Sequence, residues 1–318
     1  MERGRAAEIE GLRSQAMREA LQEALRGRDA SLETLLARHG GMPSPNPNLK
    51  LAVAFGAEIG NVAKGALRLL DRLAACDAEG DEARAFLLTA AAYGYGARIG
   101  LPEEAEACWL GLARLGADDR PPARLGAQET LQSLSLRPGG ADELVRRATD
   151  WIGLDPDIAL AKRQREAEDV IGLGAATLGL LVLGQARILP LVKERAALFT
   201  LFERALSEIE QAPRSAYRNE EFRRFQDTLP LTLASCLAHL GGSQTETWMH
   251  DICVNAREPW VREVLSNTIV RLRSKGYNQP ASLTDRLRIA LEGSAKPLRN
   301  AARVRPGTGR GKATRKIR

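Results

Sequence analysis

The feature that most restricts how this chain can fold is a succession of segments with helical periodicity, joined by very short breaks. In each segment apolar residues recur three or four positions apart over roughly 12 to 20 residues, and no segment alternates as a half-buried strand does. Because helices joined by about two to six residues must pack as antiparallel neighbours, the pattern predicts an all-α protein. The breaks are clusters of Gly, Pro and Asp at residues 77–81, 116–122, 137–140 and 241–243.

Composition favours the same fold class. Aromatic residues make up only 4% of the 318 residues, while Ala, Leu, Arg and Glu dominate. The dominant residues are good helix formers, whereas aromatic and β-branched residues are those that fit a pleated sheet. A chain of this length can bury a core large enough for one extended or two compact domains.

The first strong break lies near the start of the chain. Residues 2–28 have the pattern of a helix. The break follows at residues 39–48 (HGGMPSPNPN), where three prolines and two glycines stop any regular element. We therefore divide the chain into an N-terminal helical segment (1–42), a helical repeat domain (43–294) and a C-terminal tail (295–318). The first helix places five apolar residues on one face: Ile9, Leu12, Ala16, Ala20 and Ala24.

Three segments share a pattern in which an acid precedes an arginine that lies beside a face of small and apolar residues. They are Asp118–Leu134, Ala141–Leu154 and Glu258–Leu272. The pattern resembles the second helix of a HEAT repeat, and the resemblance covers residues 81–291. It implies a right-handed, HEAT-like α-solenoid of antiparallel helix pairs, which identifies a scaffold and not an activity. An irregular helical domain is the alternative. In the last segment the expected buried face comprises Val261, Val264, Leu265, Ile269 and Leu272.

Arginine positions partly repeat at the interval expected of such proteins. Arg84 and Arg124 are 40 residues apart, and three later intervals are 41, 36 and 39 residues, against about 40 in HEAT and armadillo repeats. The interval from Arg124 to Arg146 is much shorter and breaks the series. The later intervals separate Arg146, Arg187, Arg223 and Arg262.

One segment, Val170–Ala186, carries no charge, and its length is near the lower limit for a membrane span. It contains four glycines and is equally typical of a helix buried by neighbours on all sides. We predict a buried core helix and no membrane partner. Residues 1–15 are charged throughout and lack a secretory h-region, so we expect a cytoplasmic protein with reduced thiols. The cysteines are Cys76, Cys108, Cys236 and Cys253.

Four possible zinc ligands lie close together in the sequence: Cys236, His239, His250 and Cys253. They fall on two predicted helices that flank a Gly-Gly turn. The outermost ligands would differ in height by about 12 Å at about 1.5 Å per residue, whereas ligands of one zinc lie within about 4 Å of each other. We therefore predict no metal site and regard these four residues as candidates only.

The C-terminal tail, residues 295–318, carries nine of the 46 lysines and arginines and no acid. Without it, 37 basic residues face 40 acidic ones, so the basic character belongs to the tail. Since so few apolar groups cannot compensate for the entropy of ordering, we predict a disordered tail that binds polyanions. The residues assigned to that role are Lys296, Arg299, Arg303, Arg305, Arg310, Lys312, Arg315, Lys316 and Arg318.

No motif indicates catalysis or a cofactor. Residues 307–314 (GTGRGKAT) lack the hydroxyl that a phosphate loop needs after Lys312, and no Gly-x-Ser-x-Gly elbow is present. The HEAT-like DNA glycosylases need a basic groove, whereas the body of this chain is slightly acidic. We therefore expect neither an enzyme nor a cofactor.

These observations favour a non-catalytic α-helical scaffold or adaptor that binds a protein partner along a helical surface. The first alternative is a nucleic-acid-associated scaffold that uses the basic tail. The second is a HEAT-like DNA glycosylase or another enzyme.

Overall fold

The computed structural model describes residues 15–44, 46–152, 173–274, 276–277 and 279–293. These residues form fourteen α-helices and no β-strand, which confirms the all-α prediction for the described part of the chain. The helices are α1 (15–25), α2 (Ala30–His39), α3 (Leu49–Gly60), α4 (Ala66–Ala74), α5 (Phe86–Arg98), α6 (Ala105–Ala117), α7 (Pro121–Ser135), α8 (Gly140–Trp151), α9 (Leu173–Leu183), α10 (Arg195–Gln211), α11 (Glu220–Leu240), α12 (Gly242–Asn255), α13 (Pro259–Leu272) and α14 (Ala281–Gly293).

The break expected near the start of the chain is confirmed, because α2 ends at His39 and α3 begins at Leu49. Helix α1 is the described part of the first predicted helix, and residues 1–14 lie outside the described residues. Met17, Leu32 and Leu36 on α1 and α2 are buried in the same hydrophobic core as the later helices. The divisions at residues 42 and 294 stay predictions.

Helix α9 is the described part of the uncharged segment, and eight of its eleven residues are buried. It packs against α6, α7, α8 and α11, which confirms that residues 173–183 belong to the protein core. Among the described helices, none is both long enough and apolar enough to span a membrane.

The helices contact one another in two series. Row A consists of α3, α5, α7, α9, α11 and α13, and each of its members packs against the next. Row B consists of α4, α6, α8, α10, α12 and α14, in which α4 contacts α6, α8 contacts α10 and α12 contacts α14. Helices that follow one another along the chain, such as α4 and α5 or α6 and α7, join the two rows. The core therefore lies between the rows.

Row A packs through small residues. A Cβ atom added to Gly126 of α7 would lie 2.8 Å from the Cα of Thr89 on α5, and one added to Gly56 of α3 would lie 3.0 Å from the carbonyl oxygen of Tyr93. The Thr89 hydroxyl donates a hydrogen bond to the carbonyl of Pro122 on α7 at 2.8 Å. Because both clashing atoms belong to the backbone, only glycine permits this close approach between α3, α5 and α7.

Row B is linked by longer polar side chains. Three contacts join α6 to α8, α10 to α12 and α12 to α14, with partners 41, 45 and 40 residues apart in the sequence. A fourth joins α4 to Asp29, the residue before α2, over 43 residues. The sequence separations of these contacts are thus similar. The contacts are Arg72 with Asp29, Arg147 with Glu106, Trp248 with Glu203 and Arg286 with Glu246.

Several arginines bind carbonyl groups at the carboxyl ends of helices, where no intrahelical donor is left. Arg98 at the end of α5 is the most buried: its guanidinium donates to the carbonyls of Ile59 (2.9 Å) and Val62 (2.7 Å) and to Glu104 Oε1 (2.7 Å). Carbonyls that follow helices are bound in a similar way: Arg120 binds that of Ala78 after α4, Arg124 that of Asp119 after α6, and Arg262 that of Ala256 after α12.

The three segments with the shared arginine pattern correspond to α7, α8 and α13. Helices α7 and α13 belong to row A and α8 to row B, so the pattern occurs in both rows. The expected apolar face of α13 is confirmed, since all five of its predicted residues are buried.

Candidate binding clefts

The four candidate metal ligands are not brought together. Cys236 and Cys253 are fully buried, whereas His239 and His250 are exposed. Burial raises the pKa of both thiols to about 12, so they stay protonated at neutral pH. Within the described residues, no group of three or more His, Cys, Asp and Glu side chains is placed to hold a metal ion.

The nine basic residues of the tail, from Lys296 to Arg318, lie outside the described residues. Their assignment to polyanion binding stays a prediction. Several arginines outside the tail are paired with acids: Arg146 and Arg147 with Glu143, Arg224 with Glu220, and Arg273 with Asp285.

Two neighbouring clefts open between row A helices. The α11–α13 cleft has a volume of about 790 Å³ and the α9–α11 cleft about 710 Å³. Asp227 and Arg271 line both, so the two clefts adjoin at these side chains.

The walls of the α11–α13 cleft follow from helical spacing. On α11, Arg223, Asp227 and Pro230 recur three or four residues apart, and α13 presents Asn267 and Arg271 in the same way. Pro230 lies inside α11 and has no N–H to donate to the carbonyl of the residue four positions earlier, so a backbone acceptor is left without its helical donor beside the cleft.

An aromatic cluster forms one end of this cleft. Tyr217 and Trp260 stack with their ring centroids 3.7 Å apart, and the edge of Phe222 meets Tyr217 at 4.9 Å. The Tyr217 hydroxyl is buried and has no hydrogen-bond partner among the described residues. Burial, with the charges of Glu263 and Glu258, raises its pKa to about 12. The phenol is therefore neutral and keeps a proton to donate.

Four charged groups line the α11–α13 cleft. Within the described part of the chain, Arg223, Asp227, Glu263 and Arg271 form neither an ion pair nor a side-chain hydrogen bond, and all four side chains are exposed. Val270 lies beside them with 66% of its surface exposed. The cleft thus combines an aromatic end, an exposed apolar side chain and charges of both signs that have no ion-pair partner in the described ranges.

The α9–α11 cleft has a different charge. Five carboxylates and three arginines line it. Asp119 and Glu220 are 98% and 67% exposed and lie beside Arg224. Glu221 is used structurally, since it accepts a hydrogen bond from the backbone N–H of Gly174 at the start of α9. The charged lining residues are Asp118, Asp119, Glu220, Glu221, Asp227, Arg124, Arg224 and Arg271.

Comparison with family models, with characterised proteins and with solved structures found no match to this chain. The clefts are therefore interpreted from their geometry alone. Sequence reasoning did not find them, because Tyr217 and Trp260 are far apart in the chain and nothing in either local sequence indicates that they stack.

Proposed function

We propose that this protein is a non-catalytic helical scaffold, a solenoid of antiparallel helix pairs that binds a segment of a protein partner in the α11–α13 cleft. The two rows of helices support the solenoid. Polar contacts in row B recur at separations of 40 to 45 residues, close to the period of about 40 in HEAT and armadillo repeats.

The observation that carries the binding role is the set of unpaired groups in the cleft. Arg147 and Arg286 of row B bind acids of neighbouring helices, whereas within the described part of the chain Arg223 and Arg271 form no ion pair. Side-chain amides at Gln226 and Asn267 offer a donor and an acceptor each, which suits a polypeptide backbone. The cleft therefore offers apolar, charged and amide contacts to a ligand.

The length of the cleft suits a short extended segment. From Trp260 to Arg271 the lining of α13 rises by about 16 Å at about 1.5 Å per residue. An extended chain advances about 3.3 Å per residue, so about five residues would fill the cleft. An apolar side chain of the partner would lie against Val270 and the aromatic end.

The test compares two exposed apolar positions of the full-length protein. Val270 in the cleft and Ile289 on α14 are 66% and 64% exposed, so an aspartate at either position has a similar effect on folding. Val270→Asp should reduce capture of the partner from native cytosol by about tenfold or more, because the charge would be buried in the complex. Ile289→Asp should leave capture unchanged.

The difference in capture between Val270→Asp and Ile289→Asp must be accompanied by cross-links between the captured protein and α11 or α13. These cross-links must also form after nuclease treatment. Equal capture by both variants, or cross-links that lie only elsewhere, would remove the α11–α13 cleft as the binding site. Loss of the captured protein on nuclease treatment would favour the nucleic-acid scaffold instead.

A further inference from the structure

The α9–α11 cleft is acidic and partly unneutralised. Its five carboxylates exceed its three arginines by two. Asp119, Glu220 and Asp227 are exposed; Asp119 and Glu220 share the single cation of Arg224, and Asp227 forms no ion pair within the described residues. Arg124 is already engaged, because it donates to the carbonyls of Asp118 and Asp119. The cleft therefore favours a cationic occupant.

The chain carries a cationic segment of suitable length. Residues 295–318 contain nine Lys and Arg residues and no acid. They follow α14, which packs on α13, and α13 packs on α11 beside the cleft. Packed helices lie about 8 to 10 Å apart, so the cleft is about 20 Å from α14. A fully extended segment of this length spans about 80 Å, which is more than enough.

We propose that the α9–α11 cleft is the docking site of the chain's own basic segment, residues 295–318. Lysine and arginine side chains of this segment bind Asp119, Glu220 and Asp227. Docking of this kind competes with any polyanion for the same cations, so the cleft would regulate access to the segment.

Weak contacts are sufficient for docking because residues 295–318 are tethered to the cleft by the chain itself. A segment that belongs to the same chain as its site is present at an effective concentration in the millimolar range. Exposed ion pairs contribute little each, and several together are needed for docking. Salt should weaken the interaction, since charges are screened over about 3 Å at about 1 M ionic strength.

The proposal can be tested by photo-cross-linking in the full chain. Thr308→Cys places a single thiol in the segment, and a benzophenone maleimide labels it selectively because the four native cysteines are buried. The label should cross-link to lining residues of the α9–α11 cleft within one molecule, with a yield that does not change on tenfold dilution and falls at high salt. Labelled protein without Thr308→Cys gives the background.

Two matched triple variants isolate the role of the cleft charges. Asp119→Asn, Glu220→Gln and Asp227→Asn together should reduce the cleft cross-links about fivefold or more, because three exposed ion pairs are lost. Glu82→Gln, Asp150→Asn and Glu210→Gln change the net charge equally but lie outside the cleft, and they should leave the yield unchanged.

Cross-links scattered over the surface, an equal yield in both triple variants, or an equal loss in both would overturn the proposal. Cross-links that join only separate molecules and increase with concentration would overturn it as well. The inference does not depend on the proposed function, because Val270 does not line the α9–α11 cleft. Capture by the other cleft and docking of the segment can therefore fail separately.

Discussion

The helices of row A and those of row B are joined by different kinds of side chain. Row B helices are joined by long polar side chains that bind across neighbours, such as Arg147 to Glu106. Row A helices approach closely through glycines and through hydroxyls that donate to backbone carbonyls, such as Ser235 to Gly184. Row B thus uses charges in contacts between its helices, whereas within the described residues four charged groups of the row A cleft between α11 and α13 form no ion pair: Arg223, Asp227, Glu263 and Arg271.

The largest expected effect comes from Arg98, the one fully buried arginine among the described residues of row A. Arg98→Met would remove the guanidinium that donates to the carboxylate of Glu104 and to the carbonyls of Ile59 and Val62, of which, among the described residues, only Ile59 keeps a backbone donor, the N–H of Val62. Breaking a buried pair in this way typically costs about 3 to 5 kcal/mol of unfolding free energy. Urea unfolding followed by circular dichroism measures it, and a loss below about 1 kcal/mol would show that row A does not depend on this contact.

The same variant should change the acid sensitivity of the protein. The hydrogen bond from Arg98, opposed by burial, lowers the pKa of Glu104 below its usual value. A carboxyl with a lowered pKa in the folded state stabilises the protein above about pH 4.3 and loses that contribution as pH falls through the folded pKa. Between pH 5 and pH 2 the wild type should therefore lose more stability than Arg98→Met. Equal losses would contradict the ion pair.

The next largest loss of stability is expected when a glycine at a row A contact is replaced by alanine. Gly126→Ala should destabilise by about 1 to 3 kcal/mol, because its Cβ would lie 2.8 Å from a backbone atom of α5. An exposed glycine in a helix would instead gain stability on replacement by alanine. Gly100, in the turn after α5 and with open space around its Cβ position, is the control for added volume, and Gly100→Ala should be close to neutral. A stabilised Gly126→Ala protein would mean that α5 and α7 are further apart.

The smallest effect is expected in row B. Arg286 and Glu246 join α14 to α12 with side chains that are 63% and 36% exposed. A double-mutant cycle of Arg286→Ala and Glu246→Ala should give a coupling free energy of about 0.2 to 1 kcal/mol, as is usual for exposed ion pairs. A coupling above about 2 kcal/mol would show that row B contributes more specific stability than its exposure implies.

The features that could be predicted from the sequence are those that depend on the residues of a single segment. The proline-rich break before α3, the buried helix α9 and the apolar face of α13 were predictable because each depends on spacing within one segment. The role of Arg98 was not predictable, since its carbonyl partners lie 36 and 39 residues earlier in the chain. Val270 was missed for a related reason: only the positions of α11 and α13 show that this apolar residue stays exposed.

The stacked arrangement of the two rows is tested most directly by hydrogen exchange on Leu265→Ala. Leu265 on α13 is fully buried, and its truncation should cost about 2 to 5 kcal/mol. If repeats contact mainly their neighbours, exchange rates should rise in α11 to α14 while α5 to α7 stay protected. A uniform loss of protection from α5 to α14 would instead show one cooperative globular core and would contradict the solenoid.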